Sequence, residues 1–207
     1  MNYSEIVNLV LKYSDRQDAE VSDRIDDFLK VVESRINRVL SVGKMTTRSQ
    51  VATVADQEYY GLPSDFAGVR DIEITSAENP SSRQTLQYLN PEQMNNLSTN
   101  TEVVNNSIFY TIIANQIQVL PLQSDKILEI VYYQNLPALT SVDVENWLSY
   151  GSPDVYLFGL MTEVNAFVKD AEAANLWDSR FKESLAELTE DDAINRWSGS
   201  SLQMRVG

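Results

Sequence analysis

The sequence predicts an α+β protein in which a helical core is interrupted by a β-rich insertion. Near both ends of the chain, apolar residues recur every three to four positions, the period of an amphipathic helix. In the middle they alternate with polar residues, which is typical of half-buried strands. We therefore predict N-terminal core helices over 1–45, a β-rich insertion over 46–136, C-terminal core helices over 137–197 and an extended C-terminal arm over 198–207.

Two amphipathic helices are predicted in the N-terminal segment. The first follows Ser4, a candidate N-cap, because a serine hydroxyl can accept a hydrogen bond from the first turn. The second runs from Val21 to Leu40, with charged residues on the face opposite its apolar stripe. The two apolar stripes are Ile6, Leu9, Val10 and Tyr13, then Val21, Ile25, Phe28, Leu29, Val32, Ile36, Val39 and Leu40. We interpret both stripes as core.

Six or seven short strands are predicted in the insertion. Gln50–Val54 and Glu58–Leu62 are interpreted as a hairpin that turns at residues 55–57. Ile72 and Ile74 alternate with charged residues, which predicts a half-buried strand. The other predicted elements are the strands Thr85–Tyr88, Ile108–Ile113, Gln116–Leu120 and Lys126–Tyr133 and the short helix Pro91–Leu97. Together they suggest a compact sheet or sandwich inserted into a helical domain.

Helical periodicity returns at Ser152-Pro153, which combines a capping residue with a proline in the first turn. The break before the last helix is predicted at Lys169-Asp170. The two stripes on either side of it are Tyr156, Leu157, Leu160, Met161, Val164 and Phe167, then Leu176, Trp177, Phe181, Leu185 and Leu188. Beyond Thr189 the pattern fades and allows one more short turn.

The composition excludes most catalytic chemistry. The chain has no cysteine and no histidine, so disulfides, thiol catalysis, histidine-based triads and most zinc sites are excluded. Carboxylate chemistry remains, but the tight acidic groups, Asp26-Asp27 and Glu190-Asp191-Asp192, are interpreted as solvated helix faces or ends. We predict no catalytic residue, no metal ligand and no cofactor, and hence a protein that is not an enzyme.

The net charge of −14 argues against a protein that grips DNA, because phosphate binding depends on clustered lysine and arginine. It is compatible with a wall that surrounds moving DNA and repels it. No apolar run approaches the ~18 residues that a membrane-spanning helix needs, so no contact with a membrane is predicted.

The local charge reverses near the C-terminus. Residues 170–192 hold eight acidic and two basic residues, a net charge of −6, whereas residues 193–207 have a net charge of +2. The basic segment, which includes NRWSGSSLQMRVG, mixes serine and glycine with four apolar side chains. Disordered solubility tails lack such side chains, and a core helix would lack the serine run. We interpret the segment as an arm that docks on a partner.

Three further stretches occur in a fixed order. They are TVADQEYYGLPSDFAGVRDIEI at 53–74, IFYTIIANQIQVLPLQSDKILEIVYYQNLPAL at 108–139 and NWLSYGSPDVYLFGLMTEVNAF at 146–167, followed by LWDSRFKESLAEL and the C-terminal arm. As an ordered set, they resemble the head-to-tail adaptor (connector) proteins of tailed bacteriophages. The resemblance spans nearly all of the chain beyond residue 45.

The resemblance implies a structural virion protein at the capsid vertex, or neck, made in the bacterial host cytoplasm. It implies a homo-oligomeric, dodecameric ring between the portal protein and a tail or nozzle protein, through which DNA passes without specific binding. In such rings the C-terminal segment docks on the portal. Carried onto this chain, the docking residues would be Arg196, Trp197, Leu202, Met204, Arg205 and Val206. Trp and Arg are the residue types that most often dominate interface energetics.

Two alternatives remain at this point. One is a carbohydrate-binding or hydrolytic tail component, which would need two acids close together for acid–base work. Asp71 and Glu73 only alternate outward on one predicted strand, which does not favour it. The other is a neck or tail-completion protein located below the adaptor.

Overall fold

The chain forms two compact units. The computed structural model describes residues 1–15, 19–76, 78–79, 81–99 and 107–198. One unit, here the helical unit, consists of Met1–Met45 together with the chain from Leu136 onward, and the other, the β unit, is Thr46–Asn135. The predicted α+β class is confirmed, with helices toward both ends and strands between them. Within these described ranges, no helix is both long enough and apolar enough to cross a membrane.

The elements are numbered here in chain order. They are α1 (Tyr3–Tyr13), α2 (Ala19–Ser22), α3 (Ile25–Val39), a 3-10 turn (Gly43–Met45), β1 (Thr46–Ala52), β2 (Tyr59–Gly61), β3 (Phe66–Ser76), β4 (Arg83–Thr85), β5 (Gln87–Tyr88), α4 (Pro91–Thr99), β6 (Phe109–Ile113), β7 (Gln116–Leu120), β8 (Lys126–Gln134), α5 (Trp147–Gly151), α6 (Pro153–Phe167) and α7 (Ala171–Ser198).

Helix α6 is the centre of the helical unit. It packs against α1, α3, α5 and α7, and it is apolar on most sides. Gly159 permits the close approach of its neighbours: a Cβ there would lie 2.6 Å from Val32 Cγ1 and 3.0 Å from Phe181 Cε2. Buried core residues include Ile6, Val10, Val21, Ile25, Leu29, Val32, Ile36, Leu40, Leu148, Val155, Tyr156, Leu157, Leu160, Met161, Val164, Phe181 and Leu185.

Two predictions about the N-terminal helices are wrong. Asn2, not Ser4, caps α1: its Oδ1 accepts from Glu5 N at 2.9 Å, and the Glu5 carboxylate accepts from Asn2 N. The second helix is divided into α2 and α3 around residues 23 and 24. The apolar stripe could not reveal this turn, because Val21 and Ile25 keep their four-residue spacing and are both buried. Val39, at the end of the predicted stripe, is exposed.

The C-terminal helices also differ from the prediction in three details. The five-residue helix α5 was not predicted, because it is too short for a periodic pattern. Ser152 makes no side-chain capping bond, so Pro153 alone marks the start of α6. The last helix continues unbroken for 28 residues. The predicted break is confirmed: Lys169 adopts φ 65°, and the Asp170 carboxylate accepts from Ala173 N at 3.0 Å.

The β unit contains two four-stranded sheets, in the orders β1-β8-β3-β4 and β2-β7-β6-β5. The pairing is antiparallel except between β5 and β6. Side chains from both sheets form one apolar cluster, whose buried members are Tyr60, Leu62, Ile72, Ile74, Leu86, Ile108, Tyr110, Ile117, Val119, Leu128, Ile130 and Tyr132. The predicted sandwich-like insertion therefore buries the side chains that alternate inward on the strands.

The predicted hairpin over residues 50–62 is wrong. Its two strands belong to different sheets, β1 pairing with β8 and β2 with β7. The predicted strand Thr85–Tyr88 is likewise divided between the sheets, as β4 and β5 on either side of buried Leu86. Neighbouring strands in sequence pair often but not always, and the alternation itself carries no information about the partner strand. The predicted strands β3, β6, β7 and β8 and helix α4 are confirmed.

Candidate partner-docking surface

The end of α7 presents a strongly acidic face before the chain becomes basic. Glu183, Glu187 and Glu190 are exposed and follow one another at four- and three-residue spacing, so they lie on one side of the helix. Arg196 and Trp197 occupy the last turn. The charge reversal seen in the sequence therefore coincides with the physical end of a long helix, where an acidic surface gives way to a basic segment.

A hydrogen bond holds the end of α7 against the 3-10 turn. Gly43 N donates to Asp192 Oδ1 at 2.7 Å. A Cβ on residue 43 would lie 2.9 Å from the same oxygen, so only glycine allows this approach without a shift. The contact joins residues 149 positions apart in sequence and attaches α7 to the 3-10 turn at Asp192, six residues before the helix ends.

A groove of about 490 Å³ lies beside this contact. Its lining residues are Val42, Gly43, Lys44, Trp147, Leu188, Asp191, Asp192 and Asn195. The lining combines an indole ring and aliphatic side chains with both signs of charge. Such a mixture suits a peptide segment that brings apolar anchors and a few charges.

Trp147 forms one wall of this groove. The Lys44 ammonium lies 5.7 Å from the centroid of its ring, within range of a cation–π interaction. The indole Nε1 is buried and has no hydrogen-bond partner among the residues that the structure describes. Lys44 makes no ion pair with any described residue.

A buried network of hydrogen bonds positions Trp147 in the groove. Asn146, the residue before Trp147, caps α5 by accepting from Ser149 N at 2.8 Å. Its amide donates to Pro137 O at 2.8 Å and to Tyr156 Oη at 2.7 Å. The Tyr156 hydroxyl in turn donates to Glu33 Oε1 at 3.2 Å. Trp147 is thus positioned by a helix cap that is itself bonded to the core.

Glu33 is the acidic end of this network and is buried beside α6. It accepts a bond from Leu139 N at 2.7 Å as well as the tyrosine bond. Burial raises the pKa of Glu33, and the bonds from Leu139 and Tyr156 oppose that rise only in part. Burial also raises the pKa of Tyr156; the bond from Asn146 opposes the rise and the nearby Glu33 charge adds to it. The network is a structural anchor for the segment that leads into α5.

A second polar anchor joins three helices of the same unit. The Arg35 guanidinium on α3 bonds Glu163 of α6 at 3.2 Å and also bonds Asp178 of α7. It lies 4.8 Å from the ring centroid of Phe181. Burial alone raises the pKa of Asp178, but the bonds and charges of Lys182 and Arg35 outweigh it and lower the pKa. This anchor fixes the first half of α7, as Gly43 fixes its end.

The structure locates only part of the sequence-predicted docking set. The backbone of Arg196 and Trp197 is helical, and their side chains are not described. Leu202, Met204, Arg205 and Val206 lie outside the described residues. The groove residues Lys44 and Trp147 were not predicted as site residues, because they come from segments 103 positions apart in sequence. The available signal was a tryptophan in a polar stretch of the sequence, shortly before Ser152-Pro153.

Two carboxylates lie close together in the β unit, and the sequence did not predict that they would be neighbours. Glu73 and Glu129 are opposite each other on β3 and β8. Arg83 Nη1 lies 2.8 Å from the Glu73 carboxylate and 3.7 Å from that of Glu129, which Arg48 and Gln50 also contact. This is the arrangement of a cross-strand ion-pair network. Among the described residues, no group of three or more acids could hold a metal ion.

Comparison with known protein families decides the identity. The profile of the SU10 adaptor protein family matches residues 1–205, almost the entire chain. The chain belongs to the SU10 adaptor protein family. This confirms the resemblance to phage head-to-tail adaptors, and it assigns the chain to a family of structural components of phage particles. Comparison with curated proteins gives no match.

For a member of the SU10 adaptor protein family, a surface that binds other proteins is the kind of site to expect. The groove beside Trp147 is a candidate for such a surface in the helical unit. The alternative of a hydrolytic tail component finds no support in the ion-paired Glu73 and Glu129.

Proposed function

We propose that this adaptor forms a ring between the portal protein and a tail or nozzle protein, and that residues 196–207 dock on the portal. The match over residues 1–205 supports this, because it includes both the helical unit and most of the proposed arm. The ring would have twelve copies, as the resemblance to phage adaptors implies. The adaptor acts as a binding and structural component and catalyses no reaction.

The single observation that carries the docking proposal is the way α7 ends. The Gly43–Asp192 bond attaches α7 to the 3-10 turn six residues before the helix ends at Ser198, and residues 193–207 reverse the local charge from acidic to basic. A basic arm is attracted by any acidic surface, that of its own unit included, so an acidic portal surface would bind it by competing with that attraction. Arg196 and Arg205 would supply that attraction, and the apolar side chains between them would supply the buried contact.

The energetics favour many weak arms over one strong arm. Burying Leu202, Met204 and Val206 stabilises a complex by on the order of 5 kcal/mol. Ordering about a dozen residues opposes this with a term of similar size or larger. One arm alone therefore binds weakly. A ring of identical arms on a symmetric portal binds strongly, since each engaged arm raises the effective concentration of the next.

The same ring would line the path of the DNA. The net charge of −14 per chain and the exposed glutamates of α7 make a wall that repels phosphate. DNA could then move through the ring without adhering to it. Binding that weakens steeply with salt would indicate several phosphate contacts and would contradict this part of the proposal.

Deletion of Ser198–Gly207 tests the docking arm. We expect the truncated adaptor to keep its circular-dichroism helix signal, and to lose co-sedimentation with purified portal. The matched control replaces the same ten residues by a glycine–serine segment of equal length, which should also fail to bind. A third variant, Arg205→Ala, should weaken binding and make it less sensitive to salt. Full portal affinity in the truncated adaptor would show that the arm serves another partner.

A further inference from the structure

The loop 140–145, which precedes α5, exposes the apolar side chain of Val142 to solvent. In the loop 140–145, Val142 is 85% exposed, and its neighbours Asp143 and Glu145 are exposed as well. A valine so exposed in an ordered loop has no role in the core of its own chain. We name residues 140–145 the acidic knob.

The acidic knob is held in one conformation by its own hydrogen bonds. Thr140 N donates to Asp143 O at 2.9 Å, and Thr140 Oγ1 accepts from the backbone N–H of Val142 at 3.2 Å and of Asp143 at 2.8 Å. Tyr3 N of α1 donates to Val144 O at 2.8 Å. The loop is therefore attached to the first turn of α1, and ordering it on binding costs little additional entropy.

An aromatic surface lies at the other end of α1. The ring centroid of Tyr13, the last residue of α1, is 6.4 Å from that of Trp177, and Phe158 lies 5.8 Å from the same indole. Arg180 covers the Trp177 ring at 5.1 Å. Leu176 shares the helix face of Arg180 and is 55% exposed, while Tyr13 is 58% exposed. We name Tyr13, Leu176, Trp177 and Arg180 the aromatic patch.

The aromatic patch has the composition of an energetically dominant contact. Tryptophan, tyrosine and arginine are the residue types most enriched at such positions. Arg180 makes no ion pair with any residue that the structure describes, and neither does Lys12, which precedes Tyr13 in the last turn of α1. The patch thus combines exposed apolar area with positive charge that has no carboxylate partner within the described chain.

The two surfaces are complementary and cannot meet within one chain. Helix α1 has 11 residues, so the acidic knob at its start and the aromatic patch at its end are about 15 Å apart. The knob presents the apolar side chain of Val142 beside the carboxylates of Asp143 and Glu145. The patch presents exposed apolar side chains beside the guanidinium of Arg180. When complementary surfaces lie at different places on one chain, copies can associate head to tail, and such contacts form a closed ring where the rotation between copies closes and an open filament where it does not.

We propose that the acidic knob of one copy packs on the aromatic patch of the next copy in the ring. Val142 lies against Tyr13 and Leu176, and Asp143 and Glu145 pair with Arg180 and Lys12. The inference rests on the proposed ring and specifies the subunit contact within it. The occupant is a second copy because the chain carries both halves of the contact. In addition, the two carboxylates of one copy would neutralise the positive charge of Arg180 and Lys12 on the next copy, a chain that is acidic overall.

Disulfide trapping tests this contact, because the natural chain has no cysteine. Val142→Cys and Leu176→Cys variants are mixed under oxidising conditions and followed on non-reducing gels. We expect the mixed pair to cross-link at least tenfold faster than a mixture of Leu176→Cys with Val39→Cys. Val39 is the matched control, since it is an exposed valine of the same unit, 65% exposed, outside both surfaces.

The double variant Val142→Cys/Leu176→Cys distinguishes a head-to-tail contact from a two-fold one. A head-to-tail contact yields a ladder of dimers, trimers and larger covalent species. A ladder that stops at the dimer, or a mixed pair no faster than the Val39 control, would overturn the proposal. Trapping captures transient encounters, so the result does not depend on a stable ring in solution.

Charge exchange supplies a second readout. Asp143→Arg and Arg180→Glu should each slow the mixed cross-link, and combining one variant with the other across two copies should restore it. Cross-linking by the adaptor that lacks residues 198–207 should be unchanged. Loss of the subunit contact and loss of portal docking are therefore separable by the cross-link: deletion of the arm abolishes portal co-sedimentation and leaves the cross-link intact, whereas loss of the subunit contact slows the cross-link and also weakens co-sedimentation, because single arms bind weakly.

Discussion

The helical unit and the β unit are stabilised in different ways. The helical unit joins segments from both ends of the chain, and polar bonds between distant residues mark its joints: Glu33 to Leu139 and Tyr156, and Arg35 to Glu163 and Asp178. The β unit comes from one continuous segment, and it is held by two hydrogen-bonded sheets around a shared apolar cluster. Directional bonds between side chains help to specify which distant helices pack together, whereas backbone ladders hold the strands together and the side chains of the shared cluster select the register.

The comparison extends to buried polar groups. In the helical unit the buried Asn146, Glu33 and Tyr156 side chains are bonded to one another. In the β unit Thr111 Oγ1 and Gln118 Oε1 are buried without a hydrogen-bond partner among the described residues. They face each other on β6 and β7, on the strands that contact α4. Polar burial therefore stabilises the Glu33–Tyr156–Asn146 network of the helical unit, and it is a cost at Thr111 and Gln118 of the β unit, as it is at Trp147 Nε1.

The largest expected effect comes from Arg35. Arg35→Ala leaves Glu163 and Asp178 without their shared cation in a partly buried site, and it should lower the free energy of unfolding by about 2–3 kcal/mol. Arg35→Lys is the control: it keeps the charge but cannot bond both carboxylates in the same geometry, so it should recover only part of the loss. Urea denaturation followed by circular dichroism measures both.

The pH dependence of that loss has a definite sign. Because the folded-state pKa of Asp178 lies below its ordinary value of 3.8, the stability it contributes is present above pH 3.8 and is lost as the pH falls through the lower, folded-state pKa. The difference between the natural chain and Arg35→Ala should therefore shrink on acidification. A difference that stays constant down to the acid limit would show that Arg35 acts through packing on Phe181 instead.

Removing one hydroxyl from each unit should have opposite results. Tyr156→Phe takes away the group that links Asn146 to Glu33, and it should destabilise by about 1–3 kcal/mol. Thr111→Val removes a hydroxyl that makes no bond, keeps the side chain β-branched, and should be neutral or slightly stabilising, by up to about 1 kcal/mol. Equal losses in the two variants would contradict the contrast drawn between the units.

The smallest expected effect is the titration of Glu33. Since burial raises its folded-state pKa above 4.5, its contribution is fully present below that value and is lost as the pH rises through the folded-state pKa. Glu33→Gln keeps a carbonyl oxygen for Leu139 N and Tyr156 and cannot ionise. Relative to this variant, the natural chain should lose stability with rising pH, by at most about 1.4 kcal/mol per pH unit. Denaturation at several pH values checks it, and parallel curves for the two proteins would refute it.

Part of the candidate docking surface could be predicted from the sequence. The charge reversal near residue 193 and the apolar side chains beyond it are local properties, visible without any structure. The groove was not predictable in the same way. Lys44 and Trp147 become neighbours in the folded helical unit, where the Asn146–Tyr156 and Glu33–Leu139 bonds help to hold the segment that leads into α5. Nothing in the spacing of either residue indicates the other.

The sequence by itself determined the class of fold, the strands β3, β6, β7 and β8, the helix boundary at Lys169-Asp170 and the exclusion of histidine and cysteine chemistry. These depend on local periodicity and composition, which do not require a partner segment. Only the tertiary structure decided which strands pair. β1 and β2 lie in different sheets, and each pairs with a strand more than 50 residues away in sequence. It also decided that Glu73 faces Glu129, that Asn2 caps α1, and that the acidic knob and the aromatic patch lie at opposite ends of one helix. The physical reason is common to all of these: alternation and helical stripes specify which side chains are buried, while long-range pairing is chosen by the shapes and bonds of the surfaces that then meet.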